Sequence, residues 1–480
     1  MRRLTYIIIF LALCEVSKGQ RNVALDLWRT VQLATDSSMT AQKYQSVFDK
    51  SKWDYMAYRA KRKPQISLET TPAQHYQYLV QRYLSDQNID EYRQQRLFQS
   101  TASVKVTQNF EPLGGYFYGS TGLGYLKSYG EYNYSQFTTI PILIGYKQEL
   151  FGFNALKWQK RIEPLKMESA QKTLSYNKEN MAAEATKLFF NLAIAQSSYQ
   201  MAEKNKGRCD TLYEIGKRKF NIASISKGEL LVLEIDCNNA RNSLTNSEIQ
   251  LNNAMNELAM YLNMEEGTQL HLIVPSITKG LTIDVYEALR YAQENNPTYL
   301  KDRQMILEAQ RDIEKAKIES KINIGFDVRI GLNQVDHNLW YAYGHQLMQD
   351  YAVVNLSIPL KDWGLGKFKV NAANSTLLNA QTTADIDSRA IEREVRRVVE
   401  EFNVQQQIVE NNIETREMAG EAYNNTFQLF MTGKASVNDI TLAQNRWQTA
   451  EQNYISALKN YWECYFKVRK VTLHDFLEKF

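Results

Sequence analysis

The hydrophobic positions of the chain follow a helical heptad pattern over long stretches, and no proline lies between Pro164 and Pro275 or after Pro359. Small and apolar residues recur at alternating spacings of three and four in two series. These are Met181, Ala185, Leu188, Leu192, Ala195, Tyr199 and Ala202, then Leu230, Leu233, Cys237, Ala240, Leu244, Ser247, Leu251, Ala254 and Leu258. A sustained period of 3.5 is typical of a coiled coil. The pattern predicts two long antiparallel helices, packed closely because many of these positions are Ala or Ser.

The pattern occurs twice along the chain. Four residues with three-residue spacing, Phe220, Ala223, Ser226 and Glu229, recur 210 residues later as Phe430, Gly433, Ser436 and Asp439. The segments that begin the two halves, at Leu25 and Ile283, are instead 258 residues apart. The difference of 48 residues predicts an insertion in the first half, near residues 65–145.

An internal twofold repeat follows from these offsets. The first repeat covers residues 20–274, with a helical hairpin at 150–263 and its tip at 220–229. The second covers residues 275–480, with strands within 322–360, a hairpin at 364–470 and its tip at 430–439.

Short segments of alternating polar and apolar residues precede each predicted hairpin, which indicates β-strands. They are residues 101–108, 138–149, 322–332 and 351–360. A stretch rich in Gly and Tyr, residues 116–134, has the composition of the interfacial girdle and loops of a membrane barrel. The alternative is a soluble β-sandwich. Four strands are too few to close a barrel in a membrane, where ~8 is the usual minimum, so several chains must contribute strands.

The N-terminus indicates export. Arg2 and Arg3 precede a short apolar run, and the small residues Ser17 and Gly19 predict a signal peptide of residues 1–19. In the alternative, Cys14 is the lipidated residue of a lipoprotein, although a bulky leucine precedes it where such signals prefer a small residue.

Composition narrows the class of function. Hydrophobic residues make up 44% and charged residues 23%, close to the average for soluble proteins, so the composition does not indicate disorder. A net charge of +4 gives no reason to expect nucleic acid. No phosphate loop, nucleophile elbow or zinc-protease motif occurs, so we expect no catalytic residue, no cofactor and no enzyme. His337 and His345 lack neighbours with metal-ligand spacing and are expected in a loop, so no metal site is predicted.

The two hairpin tips carry residues with capping-box chemistry. Ser226 with Glu229, and Ser436 with Asp439, place a hydroxyl and a carboxylate where each can satisfy amide groups of a helix N-terminus. Gly433 suits the end of the preceding helix better than Ala223 does.

Two of the cysteines, Cys209 and Cys237, fall at core positions of the first hairpin, at similar distances from its tip. They are a candidate disulfide pair in an exported protein, and small apolar packing is the alternative. Cys464 has no evident partner.

The chain resembles the TolC family of outer-membrane efflux and secretion channels over essentially the whole mature sequence. The resemblance rests on four segments in order within the duplication. They are Ala288, Leu289, Ala292 and residues 295–297; residues 357–360 with Asp362, Trp363 and Gly364; Gly433, Ser436, Asp439 and Ile440; and Tyr454, Ala457, Leu458, Tyr461 and Trp462.

The resemblance implies an α+β membrane protein: a coiled-coil tunnel through the periplasm and a twelve-strand β-barrel in the outer membrane, four strands from each of three chains. It also implies an adaptor partner, and an inner-membrane pump or ABC exporter. At the periplasmic gate it places Asp439 in the first acidic position, with Glu229 equivalent in the first repeat and Phe430, Gly433, Ser436 and Ser226 beside them. The second acidic position of the family is Leu442 here.

The expected function is therefore a passive duct from the periplasm to the exterior. The alternative is a soluble periplasmic coiled-coil adaptor, although adaptors usually have one hairpin and this chain has two. The sequence does not identify the cargo.

Overall fold

The computed structural model describes residues 22–84, 89–129, 133–223, 225–265, 267–278 and 280–479. The expected signal peptide, with Cys14, lies outside the described residues. The helices are α1 Leu27–Ser37, α2 Met39–Lys61, α3 Ala155–Asn221, α4 Lys227–Tyr261, α5 Val285–Asn295, α6 Pro297–Glu319, α7 Leu339–Gly344, α8 Leu365–Met431 and α9 Val437–Thr472, followed by a short 3₁₀ helix, Phe476–Lys479. The strands are β1 Asn22–Asp26, β2 Gln65–Leu84, β3 Ile89–Phe110, β4 Gly115–Tyr129, β5 Tyr134–Leu150, β6 Gln269–Ile273, β7 Asn323–Asp336 and β8 Leu347–Ser357.

Two compact units make up the fold. Among the described residues, one unit contains residues 22–49, 170–297 and 387–479, and the other contains Lys50–Ser169 and Thr298–Ile386. The first unit includes both hairpin tips and a small parallel sheet of β1 and β6. The second includes a six-stranded sheet.

The helices repeat with two offsets. Helices α3 and α8 are each 67 residues long, about 100 Å at 1.5 Å per residue, and α8 begins 210 residues after α3. Helices α5 and α6 begin 258 residues after α1 and α2. The additional residues of the first half therefore lie between Lys61 and Ala155, where four strands are found against two in the second half.

The core of the first unit is formed by large side chains on these helices. Phe189 and Phe190 of α3, Phe402 of α8, and Tyr461 and Tyr465 of α9 are all essentially inaccessible to solvent. The ring centroids of Phe402 and Tyr461 are 5.1 Å apart. Burial of this much aromatic area packs α3, α8 and α9 firmly against one another.

The sheet of the second unit has the order β2-β3-β4-β5-β7-β8, and every neighbouring pair is antiparallel. The expectation of four strands per chain is wrong. Strand β2 was not predicted from the sequence, because Pro72 and a register shift between Thr71 and Gln74 interrupt the two-residue alternation of polar and apolar side chains. Strand β4 occupies the Gly- and Tyr-rich stretch that had indicated a girdle and loops.

The two faces of this sheet differ in polarity, in the opposite sense to a soluble protein. Apolar side chains from all six strands lie on one face and are exposed: Ile66, Leu68, Val104, Val106, Phe117, Leu123, Ile142, Ile144, Ile330, Val354 and Leu356. Asp350 of β8 is an exception on that face. The other face carries Ser, Thr, Gly and charged residues and is mostly half-buried; on it the Tyr118 hydroxyl donates to Asp327 at 2.9 Å.

None of the described helices is both long and apolar enough to cross a lipid bilayer.

Candidate functional site at the helix-hairpin tips

The first hairpin tip is fixed by a complete capping box at the start of α4. The Glu229 amide donates to the Ser226 hydroxyl oxygen at 3.2 Å, and the Ser226 amide donates to the Glu229 carboxylate at 2.7 Å. The Ser226 hydroxyl donates to the same carboxylate oxygen at 2.9 Å. Two amide groups with no partner inside the helix are thereby satisfied.

The second tip has the same arrangement at the start of α9. The Asp439 amide donates to the Ser436 hydroxyl oxygen at 3.2 Å, and the Ser436 amide donates to the Asp439 carboxylate at 2.9 Å. The capping chemistry indicated by the sequence is therefore present at both tips. Both acidic residues are exposed, so each carboxylate caps its helix while it faces solvent.

The capping bonds change the titration of both carboxyl groups. Hydrogen bonds from the backbone amide and the hydroxyl of Ser226 lower the pKa of Glu229 below its ordinary value. Those of Ser436 lower the pKa of Asp439 in the same way. Both carboxylates are therefore ionised at neutral pH.

The helices that precede the tips end in the same left-handed conformation. Ala223 has φ 55° and Gly433 has φ 78°. The amides of Ala223 and Gly433 donate to the carbonyls of Phe220 and Phe430, at 2.9 and 3.1 Å. The sequence difference between the tips therefore leaves their backbone geometry alike, and places a β-carbon in the unfavourable region at Ala223.

Phe430 and its counterpart Phe220 have different surroundings. Phe430 is buried, and the Lys219 ammonium lies 4.8 Å from the centre of its ring, whereas Phe220 is 39% exposed. Phe430 thus anchors the second tip to the first hairpin, because Lys219 belongs to α3.

An apolar cluster joins the two hairpins near their tips, and sequence reasoning missed it. Its buried members are Leu212 and Leu233 of the first hairpin and Tyr423, Phe430, Val437 and Ile440 of the second. The Asn205 and Gln444 side chains are also hydrogen-bonded between the hairpins. The sequence feature that could have predicted this cluster is the number of aromatic residues on α8 and α9 near the second tip, which is larger than at the corresponding positions of the first hairpin.

Arg208 of α3 contacts two aromatic rings of the second hairpin. Its guanidinium carbon lies 4.6 Å from the ring centre of Tyr423 and 5.0 Å from that of Trp447. The two rings are stacked, with centroids 5.5 Å apart. A cation on two partly buried aromatic rings is a directional attraction between α3 and the second hairpin.

Cys209 and Cys237 lie together in a small buried cluster with Ala240, against Tyr213. Both are free thiols in the structure, as is the buried Cys464. Burial raises the pKa of Cys209 to about 11 and also raises the pKa of Cys237. The structure brings the two candidate partners together without bonding them.

An open groove of about 890 Å³ lies between α8 and α9 beside the second tip. Asp439 and Leu442 line it together with Lys434 and Arg446. Leu442 is 48% exposed, so the position of the family's second acidic residue is an accessible apolar side chain here.

The two histidines flank the short helix α7. His337 lies in the bend before it, with Nδ1 2.6 Å from the carbonyl oxygen of Ser135, and His345 follows its last turn. Over the described ranges, no three His, Cys, Asp or Glu side chains are grouped as a metal site would require.

Known proteins match the chain in both sequence and fold. The family described as "Outer membrane efflux protein" matches residues 289–470. No curated protein matches the sequence. Among solved structures, the CmeC outer membrane channel of Campylobacter jejuni has a TM-score of 0.67 at 11% identity, covering 94% of this chain and 88% of that one.

Two further structures are similar to the same degree. A membrane protein from Pseudomonas aeruginosa has a TM-score of 0.66 at 12% identity, covering 93% of this chain and 90% of that one. The outer membrane protein VceC of Vibrio cholerae has a TM-score of 0.62 at 11% identity, covering 94% and 96%. The resemblance to the TolC family is thereby confirmed: residues 289–470 match the outer membrane efflux protein family, and 93–94% of the chain has the fold of outer-membrane channels.

Proposed function

We propose that this protein is the outer-membrane channel of a tripartite efflux or type I secretion system. It forms a homotrimeric passive duct from the periplasm to the exterior and is gated by its helix-hairpin tips. The observation that carries the proposal is a duplicated long hairpin in the same chain as a sheet with an exposed apolar face. A catalytic role has no support in the family or in the fold.

The polarity of the sheet supports a membrane wall. In soluble antiparallel sheets the apolar face packs on a core and the polar face meets water. Here the apolar face is exposed and the polar face is half-buried, which is the alternation of strands that face lipid outside and an aqueous lumen inside. The sheet therefore fits a barrel in the outer membrane, built from the strands of three chains.

The tips fit a gate of negative charge. In a trimer, three copies each of Asp439 and Glu229 would surround the periplasmic end, and each is exposed and ionised. Rings of carboxylates attract cations and repel one another at close range. The contacts of Arg208 and the apolar cluster between the hairpins would hold the tips in one arrangement until a partner displaces them.

The partners we propose are a periplasmic adaptor and, through it, an inner-membrane pump or ABC exporter. The groove between α8 and α9 supports an adaptor contact, because small side chains such as Ala419, Ala422 and Ala443 leave room there for another helix. Its exposed apolar residues Met418 and Leu429, further along α8, would be covered by such a helix.

Membrane fractionation and conductance test the function together. We expect the mature protein in the outer-membrane fraction, and discrete single-channel currents from the purified protein in planar bilayers. Recovery of folded protein in the soluble periplasmic fraction would instead support the adaptor alternative.

A disulfide between Cys209 and Cys237 is a separate proposal for the first hairpin. Folded, the thiols are buried and protonated, so exchange with an oxidising protein disulfide should occur during folding rather than afterwards. Two thiols would be lost and one bond formed, with the donor disulfide reduced to a dithiol. Maleimide labelling of the denatured mature protein should then modify Cys464 alone among these three; labelling of all three would exclude the bond.

A further inference from the structure

We infer that each copy of this chain contributes six strands to the membrane wall, and that strand β8 of one copy pairs with strand β2 of the next. Three copies of six strands would make a wall of eighteen. This inference rests on the proposed trimeric duct, and departs from the four strands per chain that the family resemblance implies.

The extra strands β2 and β3 are integral to the sheet. Strand β3 pairs with β4 along the whole of β4, from Phe110 opposite Gly115 to Arg96 opposite Tyr129. The edge of β4 is therefore occupied, and a neighbouring copy could not pair with it unless β3 were removed. A twelve-strand wall from β4, β5, β7 and β8 would require that exposed edge.

The extra strands also have the polarity of the wall. Ile66 and Leu68 of β2 lie opposite Val106 and Val104 of β3, and all four are exposed on the apolar face. Ser67 lies opposite Lys105 on the polar face. Strands outside a membrane would gain nothing from this outward apolar row, whereas lipid-facing strands require it.

The two remaining edges fit each other. All neighbours in the sheet are antiparallel and there are six strands, so β2 and β8 run in opposite directions. Pairing β8 with β2 of the next copy keeps every pair antiparallel and continues both faces. In this pairing, Val354 and Leu356 of β8 lie beside the outward apolar residues of β2 in the next copy. Asn355 then lies beside the inward polar residues of that strand. Unpaired backbone at either edge would be intolerable in lipid, so a closed wall must join them.

Cysteine pairs in outer membranes test the junction. In a background without Cys209, Cys237 and Cys464, Asn355→Cys is combined in turn with Gln65→Cys, Ser67→Cys and Glu69→Cys, which all lie on the inward face of β2. Under oxidation we expect reducible covalent trimers from at least one combination, because the closed wall brings these faces together. The matched control Ile66→Cys points outward and should not cross-link with position 355.

A further variant tests the alternative in which each copy contributes four strands and β8 pairs with β4 of the next copy. Ser120→Cys lies on the inward face of β4, opposite Lys105. Cross-linking of positions 355 and 120, failure of all three β2 combinations, or covalent dimers that close without a third copy would each overturn the inference. The wild-type protein, which retains Cys209 and Cys237, is fractionated and its currents are recorded in parallel. If it resides in the outer membrane and conducts while the cysteine variants cross-link to β4, only the eighteen-strand wall is contradicted; if it is absent from that membrane, the proposed function is contradicted.

Discussion

At the scale of single residues, the two tips have the same backbone conformation but differ in strain, because one has an alanine where the other has a glycine. Ala223 has the left-handed conformation of its counterpart Gly433. An L-residue with a β-carbon is disfavoured there by roughly 1 kcal/mol relative to glycine, partly offset because glycine is more flexible in the unfolded chain. The strain is local to the tip, where the chain reverses between α3 and α4.

Ala223→Gly should therefore stabilise the first tip, by about 0.5 to 1 kcal/mol. Gly433→Ala is the matched change and should destabilise the second tip by a similar amount. Hydrogen exchange of the flanking amides, resolved by peptide, measures both. Equal and negligible effects of the two substitutions would mean that the left-handed turn is not maintained in solution.

The capping carboxylates make tip stability depend on acid. A carboxyl group whose pKa is lowered on folding stabilises the fold above its unfolded pKa, and that contribution is lost as the pH falls through the folded pKa. The ordinary values are 4.5 for Glu229 and 3.8 for Asp439, so the loss begins near those values and continues below them. Protection of the α9 amides, corrected for intrinsic exchange, should be constant from pH 8 to about pH 5 and fall in acid. Asp439→Asn should lower protection at neutral pH and remove most of the acid dependence of α9; unchanged acid dependence in this variant would assign the transition to other groups.

At the scale of elements, the helices were more predictable from sequence than the strands. The long helices α3 and α8 were predictable because the small and apolar residues that face a partner helix recur every 3.5 positions. This period remains recognisable even where the individual residues of the two repeats differ. Strand β2 was not predictable from alternation, since Pro72 and the shift near Thr71 break a period that is only two residues long. The capping boxes were predictable because their chemistry is local in sequence, whereas the packing of Arg208 on Tyr423 and Trp447 joins residues more than 200 positions apart.

The contact of Arg208 with the second hairpin should restrain the tips. A cation on partly buried rings contributes roughly 1 kcal/mol, which is about a fivefold change in an equilibrium between two tip arrangements. Arg208→Ala should raise the open probability or basal conductance of the channel by about that factor. Lys217→Ala is the matched control, because Lys217 lies over the ring of Tyr213 in its own helix. Equal currents from both variants would show that the cation on the aromatic pair does not hold the tips.

At the scale of the whole molecule, ion selection should depend on carboxylates that the trimer repeats three times. Asp439 lines the groove at the second tip, and Leu442, one helical turn further along α9, is accessible beside it. The pore of the wild-type protein would therefore have a weaker preference for cations than one with acidic residues at both positions. The charges of Lys434 and Arg446 in the same groove reduce the preference further.

Leu442→Asp adds three negative charges to a trimer at the proposed constriction. Because the site is exposed, the new carboxylates should ionise at neutral pH and raise the local concentration of cations. The reversal potential in a salt gradient should then shift towards the cation equilibrium potential, most strongly at low ionic strength, where the Debye length is about 30 Å at 0.01 M. Leu442→Asn has a side chain of the same shape as aspartate without the charge, and should leave the reversal potential at the wild-type value. If the aspartate variant conducts with unchanged selectivity, position 442 does not face the ion path, and the assignment of α9 to the constriction is wrong.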